Sequence, residues 1–175
     1  MLNPIYAQRF KGAAITGLST NQIDGDTQAG YNKVGAYAGV FVETDFTKVI
    51  GTKIELYYIG KGARKEGSDY FKTSLHYVEM PLLLTIKPVT KVQLDIGIYG
   101  SYLIDSKFEI YSGPISEDLY EMNNFDFGGM ITGTYFFKPR AGFNVRFSYS
   151  FIPVKENPNW FNENLCFGLI FRFNK

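Results

Sequence analysis

The chain has very few of the residues that build disulfides, metal centres and histidine-based catalytic sites. Its 175 residues include one cysteine, Cys166, and one histidine, His76. A lone cysteine excludes an internal disulfide, and one histidine beside one cysteine does not supply the ligands of a structural zinc site. We therefore interpret both side chains as structural, and we expect neither a metal nor a cofactor.

A surplus of one charge and a long hydrophobic run are also missing. Lysine and arginine together number 18 and aspartate and glutamate 17, so the formal net charge is +1. Such a balance gives no basic field for nucleic acid, and we expect no nucleic-acid partner. No stretch contains the roughly 18 consecutive apolar residues of a membrane-spanning helix.

What the sequence does contain is aromatic residues, 17% of the total, in segments that alternate with a period of two. Residues 141–151 and 165–174 each place a row of large apolar side chains beside a polar row, and the polar rows include Arg146 and Arg172. This alternation predicts β-strands with one apolar face. A soluble barrel directs that face inward, whereas an outer-membrane barrel directs it towards lipid. The mean hydropathy of −0.11 does not separate the two, because a spanning strand averages to a middling value.

Roughly eight extended segments lie between residues 9 and 174, and no helical pattern exceeds two turns. In at least six of these segments the charged side chains share one face, which we expect to line the lumen. The same alternation places Lys61 on the inner face of the third segment. Residues 10–19 alternate poorly, and Pro81 stands where a ladder N–H is needed, so we expect a β-bulge at Pro81. The predicted structural polar network of the lumen consists of Lys53, Glu55, Glu79, Asp95, Asp126, Arg146 and Arg172.

The connections between segments alternate strictly between short and long. The short connections are expected at residues 45–48, 87–91 and 138–140. The long ones, rich in Gly, Asn, Asp, Ser and Pro, are expected at residues 20–32, 62–69, 106–124 and 153–162. This pattern predicts an all-β protein, an eight-stranded antiparallel up-and-down transmembrane β-barrel with short periplasmic turns and longer extracellular loops. A Greek-key sandwich does not produce such an alternation.

Aromatic residues are placed where the two membrane interfaces would be, and two aromatic belts are expected there. The predicted outer belt consists of Tyr58, Tyr70, Phe71, Tyr149, Phe151, Trp160 and Phe161. The predicted inner belt consists of Phe46, Phe136, Phe137, Phe171 and Phe173.

Several short motifs follow one another in an order that resembles a known family. They are Asn21-Gln-Ile-Asp-Gly-Asp26, Ala29-Gly-Tyr-Asn-Lys33, Gly39-Val-Phe-Val42, Glu55-Leu-Tyr-Tyr58, Tyr77-Val-Glu-Met-Pro-Leu-Leu-Leu84, Gly97-Ile-Tyr-Gly-Ser-Tyr-Leu103 and Asp126-Phe-Gly128. In this order they are similar to the PorT-like outer-membrane β-barrel family of Bacteroidetes. The resemblance implies an eight-stranded outer-membrane barrel, and a few members of that family are accessory parts of the type IX secretion and gliding machinery. It carries over no catalytic or binding residue.

The N-terminal segment, residues 1–8, is expected to lie outside the barrel domain, which we place at residues 9–175. Residues 1–8 resemble the tail of a secretory signal ending near Ala7 or Gln8, but a basic n-region and a full apolar h-region are missing. The segment is either an incomplete signal or an ordinary disordered tip. The predicted location is the outer membrane of the cell, with an incomplete signal sequence in this chain.

The predicted lumen charges have a structural and a functional interpretation. An eight-stranded barrel has an interior filled by side chains, and an unpaired buried ion costs several kcal/mol, so a salt-bridge plug is expected. The alternative is a path for ions or protons along these groups. Glu55 and Glu79 lie on adjacent segments and would suit acid–base catalysis, but nothing in the sequence supplies a substrate cleft. We therefore expect no enzymatic activity.

Taken together, the sequence predicts a non-enzymatic structural or adaptor protein of the outer membrane. Its expected partners are the lipid bilayer and proteins that dock on the extracellular loops or periplasmic turns, with an accessory role in secretion or gliding implied by the family resemblance. The alternative is a soluble lipocalin-like barrel that binds a small apolar ligand. The feature that distinguishes them is the side of the barrel wall that Arg146 and Arg172 face.

Overall fold

A computed structural model describes residues 10–25, 30–65, 70–110, 113–114, 122–156 and 158–173. The strands are β1 (Lys11–Asp24), β2 (Lys33–Asp45), β3 (Ile50–Lys65), β4 (Phe71–Val89), β5 (Val92–Ile110), β6 (Gly113–Pro114), β7 (Phe125–Phe136), β8 (Ala141–Ser150) and β9 (Phe161–Arg172). Within the described ranges, no helix is long and apolar enough to cross a membrane. The predicted N-terminal segment, residues 1–8, lies outside them.

Eight long strands close into one antiparallel barrel. The hydrogen-bonded order is β4-β3-β2-β1-β9-β8-β7-β5, and pairing between β4 and β5 joins the two ends. The two-residue strand β6 pairs with the end of β5. A closed ring leaves no open sheet edge, which is the condition for a sheet to cross a bilayer. The predicted eight-stranded antiparallel fold is confirmed.

One end of the barrel carries the short connections together with the start of β1 and the end of β9. The turns β2–β3, β4–β5 and β7–β8 all lie at this end, which is the periplasmic end in barrels of this construction. The longer connections lie at the other, extracellular end. Three predicted loops begin too early, because β1 continues to Asp24, β3 to Lys65 and β5 to Ile110. Some of their polar residues are strand residues that point into the upper lumen, as the buried Asn21 does.

Side chains alternate between the outer surface and the lumen on all eight long strands. The outward row is apolar and exposed, and it includes Val34, Ile54, Leu82, Ile96, Phe127, Phe147 and Leu169. The inward row is buried and mostly polar or aromatic, with some aliphatic side chains, and its largest members are Arg146, Tyr37, Tyr77, Tyr99, Lys53 and Lys61. Arg146 is buried in the lumen, and Arg172 also faces inward, at the periplasmic mouth. The pattern is that of a barrel in lipid rather than in water.

The bulge expected at Pro81 was wrong in its position. Pro81 pairs with Tyr99 of β5 without a register shift, and the two irregularities in this pair of strands fall instead between His76 and Tyr77 and between Ile86 and Val89. At the first of these, Tyr77 pairs with Leu103 while His76 pairs with Asp105. Proline lacks only its own N–H, so the ladder tolerates it where that group is not needed.

The two predicted aromatic belts are present with three corrections. Phe137 and Phe173 are exposed at the periplasmic end, and Phe151 is exposed at the extracellular end. Phe71 was wrongly placed in the outer belt, because it is partly buried and packs against the buried core. Trp160 and Phe136 were also wrongly placed in the belts, because both side chains point inward and are buried. Each contacts a cation, since the Phe136 ring lies 3.8 Å from Arg172 Cζ and the Trp160 ring 4.8 Å from Lys155 Nζ.

A glycine pair makes room for one of the lumen tyrosines. Gly17 of β1 and Gly168 of β9 are paired with each other, and the Tyr37 side chain lies against both. A Cβ atom at Gly168 would stand 2.2 Å from Tyr37 Oη and 2.5 Å from the Thr16 carbonyl oxygen. Only glycine permits this close approach.

Candidate functional site in the barrel lumen

All seven residues of the predicted polar network point into the barrel. Six of the seven are fully buried, and Arg172 is partly buried at the periplasmic mouth. They lie on β3, β4, β5, β7, β8 and β9, so the strand alternation alone brings them to one interior. Within that interior they are distributed over three clusters, and Gln93 links two of these by hydrogen bonds to Asp95 and Arg172.

The central cluster consists of Lys53, Glu55, Asp95 and Arg146. Arg146 Nη1 lies 2.9 Å from Glu55 Oε2, and its Nη2 donates to Glu55 Oε1 at 3.4 Å. Lys53 Nζ bridges the two carboxylates, at 2.9 Å from Glu55 Oε1 and 2.7 Å from Asp95 Oδ2. Two cations thus face two carboxylates, and the cluster is balanced in charge.

Neutral groups complete the coordination of Asp95. The hydroxyl groups of Thr85 and Thr132 donate to its two oxygens at 2.8 and 2.7 Å, and the Gln93 amide donates at 3.0 Å. With Lys53, four donors converge on one buried carboxylate. Hydrogen bonds of this number offset much of the desolvation cost of a buried charge.

Aromatic rings flank the cations of the central cluster. Arg146 Cζ lies 5.1 Å from the Tyr37 ring centroid and 5.0 Å from that of Tyr57, and Lys53 Nζ lies 5.0 Å from the Phe41 ring. These distances are those of cation–π contacts. The aromatic and ionic side chains of the lumen therefore form one packed interior.

The upper cluster, nearer the extracellular end, consists of Lys61, Glu79 and Asp126. Lys61 Nζ lies 2.6 Å from Glu79 Oε2 and 3.3 Å from Asp126 Oδ2. The same ammonium group lies 5.1 Å from the Tyr77 ring and 4.6 Å from the Tyr99 ring. The alternation placed Lys61 on the inner face, but the predicted network did not include it.

Neutral donors also reach the carboxylates of the upper cluster. The Tyr57 hydroxyl donates to Glu79 Oε1, and Asn162 Nδ2 donates to Asp126 Oδ2 at 2.9 Å. One cation here faces two carboxylates. The amide and hydroxyl donors compensate in part for the missing second cation.

The periplasmic cluster consists of Glu43, Asp45, Lys11, Lys87 and Arg172. Arg172 Nη2 lies 2.9 Å from Glu43 Oε1, and Lys87 Nζ lies 3.7 Å from the same oxygen. Asp45 accepts from Lys11 at 2.6 Å and also from Lys87. The sequence prediction contained Arg172 but not its partner Glu43, although both follow the strand alternation.

The two carboxylates considered for acid–base catalysis are in different clusters. Glu55 is held by Arg146 and Lys53, and Glu79 by Lys61 and Tyr57. Among the residues that the structure describes, no group of three or more His, Cys, Asp or Glu side chains is placed to hold a metal ion.

The outer surface and the extracellular mouth hold the remaining titratable groups of interest. His76 lies on the outer face, stacked on Tyr58 and hydrogen-bonded to its hydroxyl. At the mouth, the Tyr31 hydroxyl donates to Glu163. Burial and this hydrogen bond raise the pKa of Tyr31 to about 12. Much of the predicted 106–124 loop lies outside the described residues.

Comparison with known proteins gives a family and a fold. Residues 8–156 match the family described as outer membrane protein beta-barrel domain. No curated protein matches the chain.

Three solved outer-membrane barrels have a similar structure. Ail, the attachment invasion locus protein of Yersinia pestis, in complex with the heparin analogue sucrose octasulfate, has a TM-score of 0.57 at 11% identity, over 94% of this chain and 99% of Ail. Neisserial surface protein A has a TM-score of 0.60 at 12% identity, over 94% and 97%. OprG of Pseudomonas aeruginosa has a TM-score of 0.51 at 10% identity, over 96% and 98%. At these identities the likeness shows the fold alone.

The direction of the side chains and the family match agree. Arg146 and Arg172 face the lumen and the large apolar side chains face outward, so the lipocalin-like alternative is not favoured. This chain belongs to the outer membrane protein β-barrel domain family and is a small barrel of the outer membrane.

Proposed function

We propose that the protein is a non-enzymatic structural or adaptor barrel whose lumen is plugged and whose loops and turns dock partner proteins. The observation that carries the proposal is the filled interior. Lys53, Lys61 and Arg146 are fully buried inside the barrel, and each contacts a buried carboxylate. A protein with such an interior acts through its two ends rather than through its lumen.

The residues of the predicted network, together with Lys61 and Glu43, act as a structural plug. The interior of an eight-stranded barrel is just wide enough for side chains to fill. An ion crossing this barrel would have to separate the central and upper clusters in turn. Removing one partner of a buried ion pair costs about 3 to 5 kcal/mol, which is a large barrier for each step. The arrangement therefore supports a plug over an ion path.

Burial of the carboxylates supports a role without catalysis. A general acid or base must come within about 2.6 to 3.2 Å of the proton that it transfers. Glu55 and Glu79 are 1% and 0% exposed, and both already bind cations. A substrate would have to displace the plug to reach either of them.

The proposed role in secretion or gliding machinery rests on the sequence resemblance. The motifs similar to the PorT-like barrels of Bacteroidetes include residues 77–84 and 97–103, which lie on β4 and β5, the two longest strands. That resemblance supports an accessory role in secretion or gliding machinery. In such a role the barrel would hold other components at the outer membrane through contacts at its ends.

Conductance and cross-linking test the two parts of this proposal. The purified barrel in planar bilayers is expected to give no open-channel steps, and the Glu55→Ala/Arg146→Ala double variant is expected to leak through the space it opens.

In cells, a photo-cross-linking residue at position 31 or 138 should give protein adducts, whereas the same residue at the lipid-facing position 96 should not. Channel steps in the unmodified protein would refute the plug. Equal adducts from all three positions, or none, would refute the adaptor role.

A further inference from the structure

The periplasmic end of the barrel contains a cavity that the three clusters leave open. Its volume is about 410 Å³, within the roughly 300 to 1,000 Å³ of ligand pockets. We call it the vestibule. The lining residues that matter most are Lys11, Asp45, Lys48, Lys87, Gln93 and Arg172.

The vestibule is a dead end that opens towards the periplasm. Arg172, Gln93 and Phe136 are inward-facing side chains at the mouth, and the buried central cluster lies beyond them. Lys48 and Thr90 belong to the periplasmic turns that form its rim. A ligand therefore enters from the aqueous periplasm, inside the ring of turns, whereas lipid headgroups lie outside the barrel wall.

Cations predominate on the vestibule walls. Lys11, Lys48, Lys87 and Arg172 line it, against one carboxylate, Asp45. Asp45 is already bound by Lys11 and Lys87, and Arg172 is already paired with Glu43, which is buried behind the wall. Lys48 is exposed and has no ion pair within the described part of the chain.

Two further observations indicate that this positive surface is a binding site. The Nε atom of Arg172 is buried and has no hydrogen-bond partner among the described residues. The turns around the mouth extend the positive field, because Lys91, Lys138 and Arg140 are all exposed there. The positive surface is thus wider than a single small anion would need.

We propose that the vestibule binds an extended, carboxylate-rich segment of a periplasmic protein. Acidic side chains complement the lysines of the rim and Arg172 at the floor, and the Phe136 ring with Val89 offers apolar contact to the segment's backbone and stems. The inference deepens the proposed adaptor role by naming the chemistry of one partner. It rests on that role, and it assigns this contact to the periplasmic end.

Peptide binding to the intact barrel in phosphatidylcholine nanodiscs tests the proposal. Fluorescein-labelled hexaglutamate should bind saturably by fluorescence anisotropy and bind more weakly as salt is added, and hexaglutamine should not bind. Lys48→Glu should weaken hexaglutamate binding by about tenfold, because it reverses an unpaired charge at the rim. Lys107→Glu, a matched change on the extracellular side at a side chain that is 64% exposed, should leave binding unchanged.

Four outcomes would each overturn the vestibule as a peptide site. The first two are the absence of saturable hexaglutamate binding, and an equal loss of binding in Lys48→Glu and Lys107→Glu. Loss of binding when phosphatidylglycerol replaces phosphatidylcholine would assign the cations to lipid headgroups, and displacement by inorganic phosphate as effective as by unlabelled hexaglutamate would assign them to a small anion. If cross-links from position 138 form while hexaglutamate does not bind, the adaptor role stands and this inference fails. If hexaglutamate binds while no cross-link forms, the adaptor role is the part that fails.

Discussion

Arg146 on β8 and Glu55 on β3 form an ion pair across the barrel, with 2.9 Å between Nη1 and Oε2 and 91 residues between them in the chain. Three strands, β2, β1 and β9, separate β3 from β8 in the wall. The pair therefore crosses the lumen and joins opposite sides of the ring from within. Both side chains are almost completely inaccessible to solvent, so losing one partner would leave a buried, unpaired charge.

Breaking this pair should destabilise the barrel more than removing it whole. Glu55→Gln or Arg146→Met alone leaves a buried charge without its main partner, at a cost of about 3 to 5 kcal/mol. The double variant should cost clearly less than the sum of the two. Urea unfolding in detergent micelles, followed by the fluorescence of the single, buried Trp160, measures each free energy. Strictly additive losses would mean that the two groups do not interact.

A charge placed on the lipid face should destabilise the barrel, and its cost should be larger the closer it lies to the bilayer midplane. Val145→Arg, on the outer row of β8, should cost about 2 to 4 kcal/mol if that position lies near the bilayer midplane. Val34→Arg, at the extracellular start of β2, should cost about 0 to 1 kcal/mol because it lies near the interface. The yield of folded protein in lipid vesicles compares the two. Normal assembly of Val145→Arg would show that the assigned face is wrong.

Lys61 should matter because two buried carboxylates depend on it. Lys61→Met leaves Glu79 and Asp126 without their cation and should lower the free energy of unfolding by about 3 to 5 kcal/mol. Lys72→Met is the matched control, because it removes a lysine whose ion pair with Glu109 is exposed to solvent and so contributes little. Equal unfolding midpoints in urea for the two variants would contradict the importance of the upper cluster.

Alanine substitution should have different effects on stability at two strand glycines. Gly168→Ala forces the Tyr37 ring or the β1 backbone to move, and a loss of about 1 to 3 kcal/mol is expected from such overpacking. Gly100→Ala places its methyl group in open space, and the change should be neutral or slightly stabilising. Thermal unfolding of both variants decides the point, and a Gly168→Ala protein as stable as the parent would contradict the close packing of Tyr37.

The sequence predicted the direction of side chains far better than the partners that they find. Alternation placed Glu55, Glu79 and Arg146 in the lumen, because a strand between lipid and a narrow interior can present only two faces. It did not predict that Arg146 binds Glu55 while Glu79 binds Lys61. Those pairings depend on the tilt and stagger of the strands, which the local pattern does not specify.

Strand ends and some aromatic residues were predicted less well for a related reason. Polar residues such as Asn21 suggested a loop, yet they are strand residues in a polar lumen. Phe136 suggested a belt residue, yet it packs against Arg172 inside the mouth. The net charge of +1 likewise gave no indication of the vestibule. The cations in the short turns are balanced in the total by acidic residues elsewhere in the chain.

The most direct test of the account is heat-modifiable gel migration of the protein recovered from separated outer membranes. A closed barrel held together inside by buried ion pairs should resist detergent at room temperature and unfold on boiling. We expect a band in the outer-membrane fraction whose mobility changes between the unboiled and boiled samples. A soluble protein with the same mobility in both samples would contradict it.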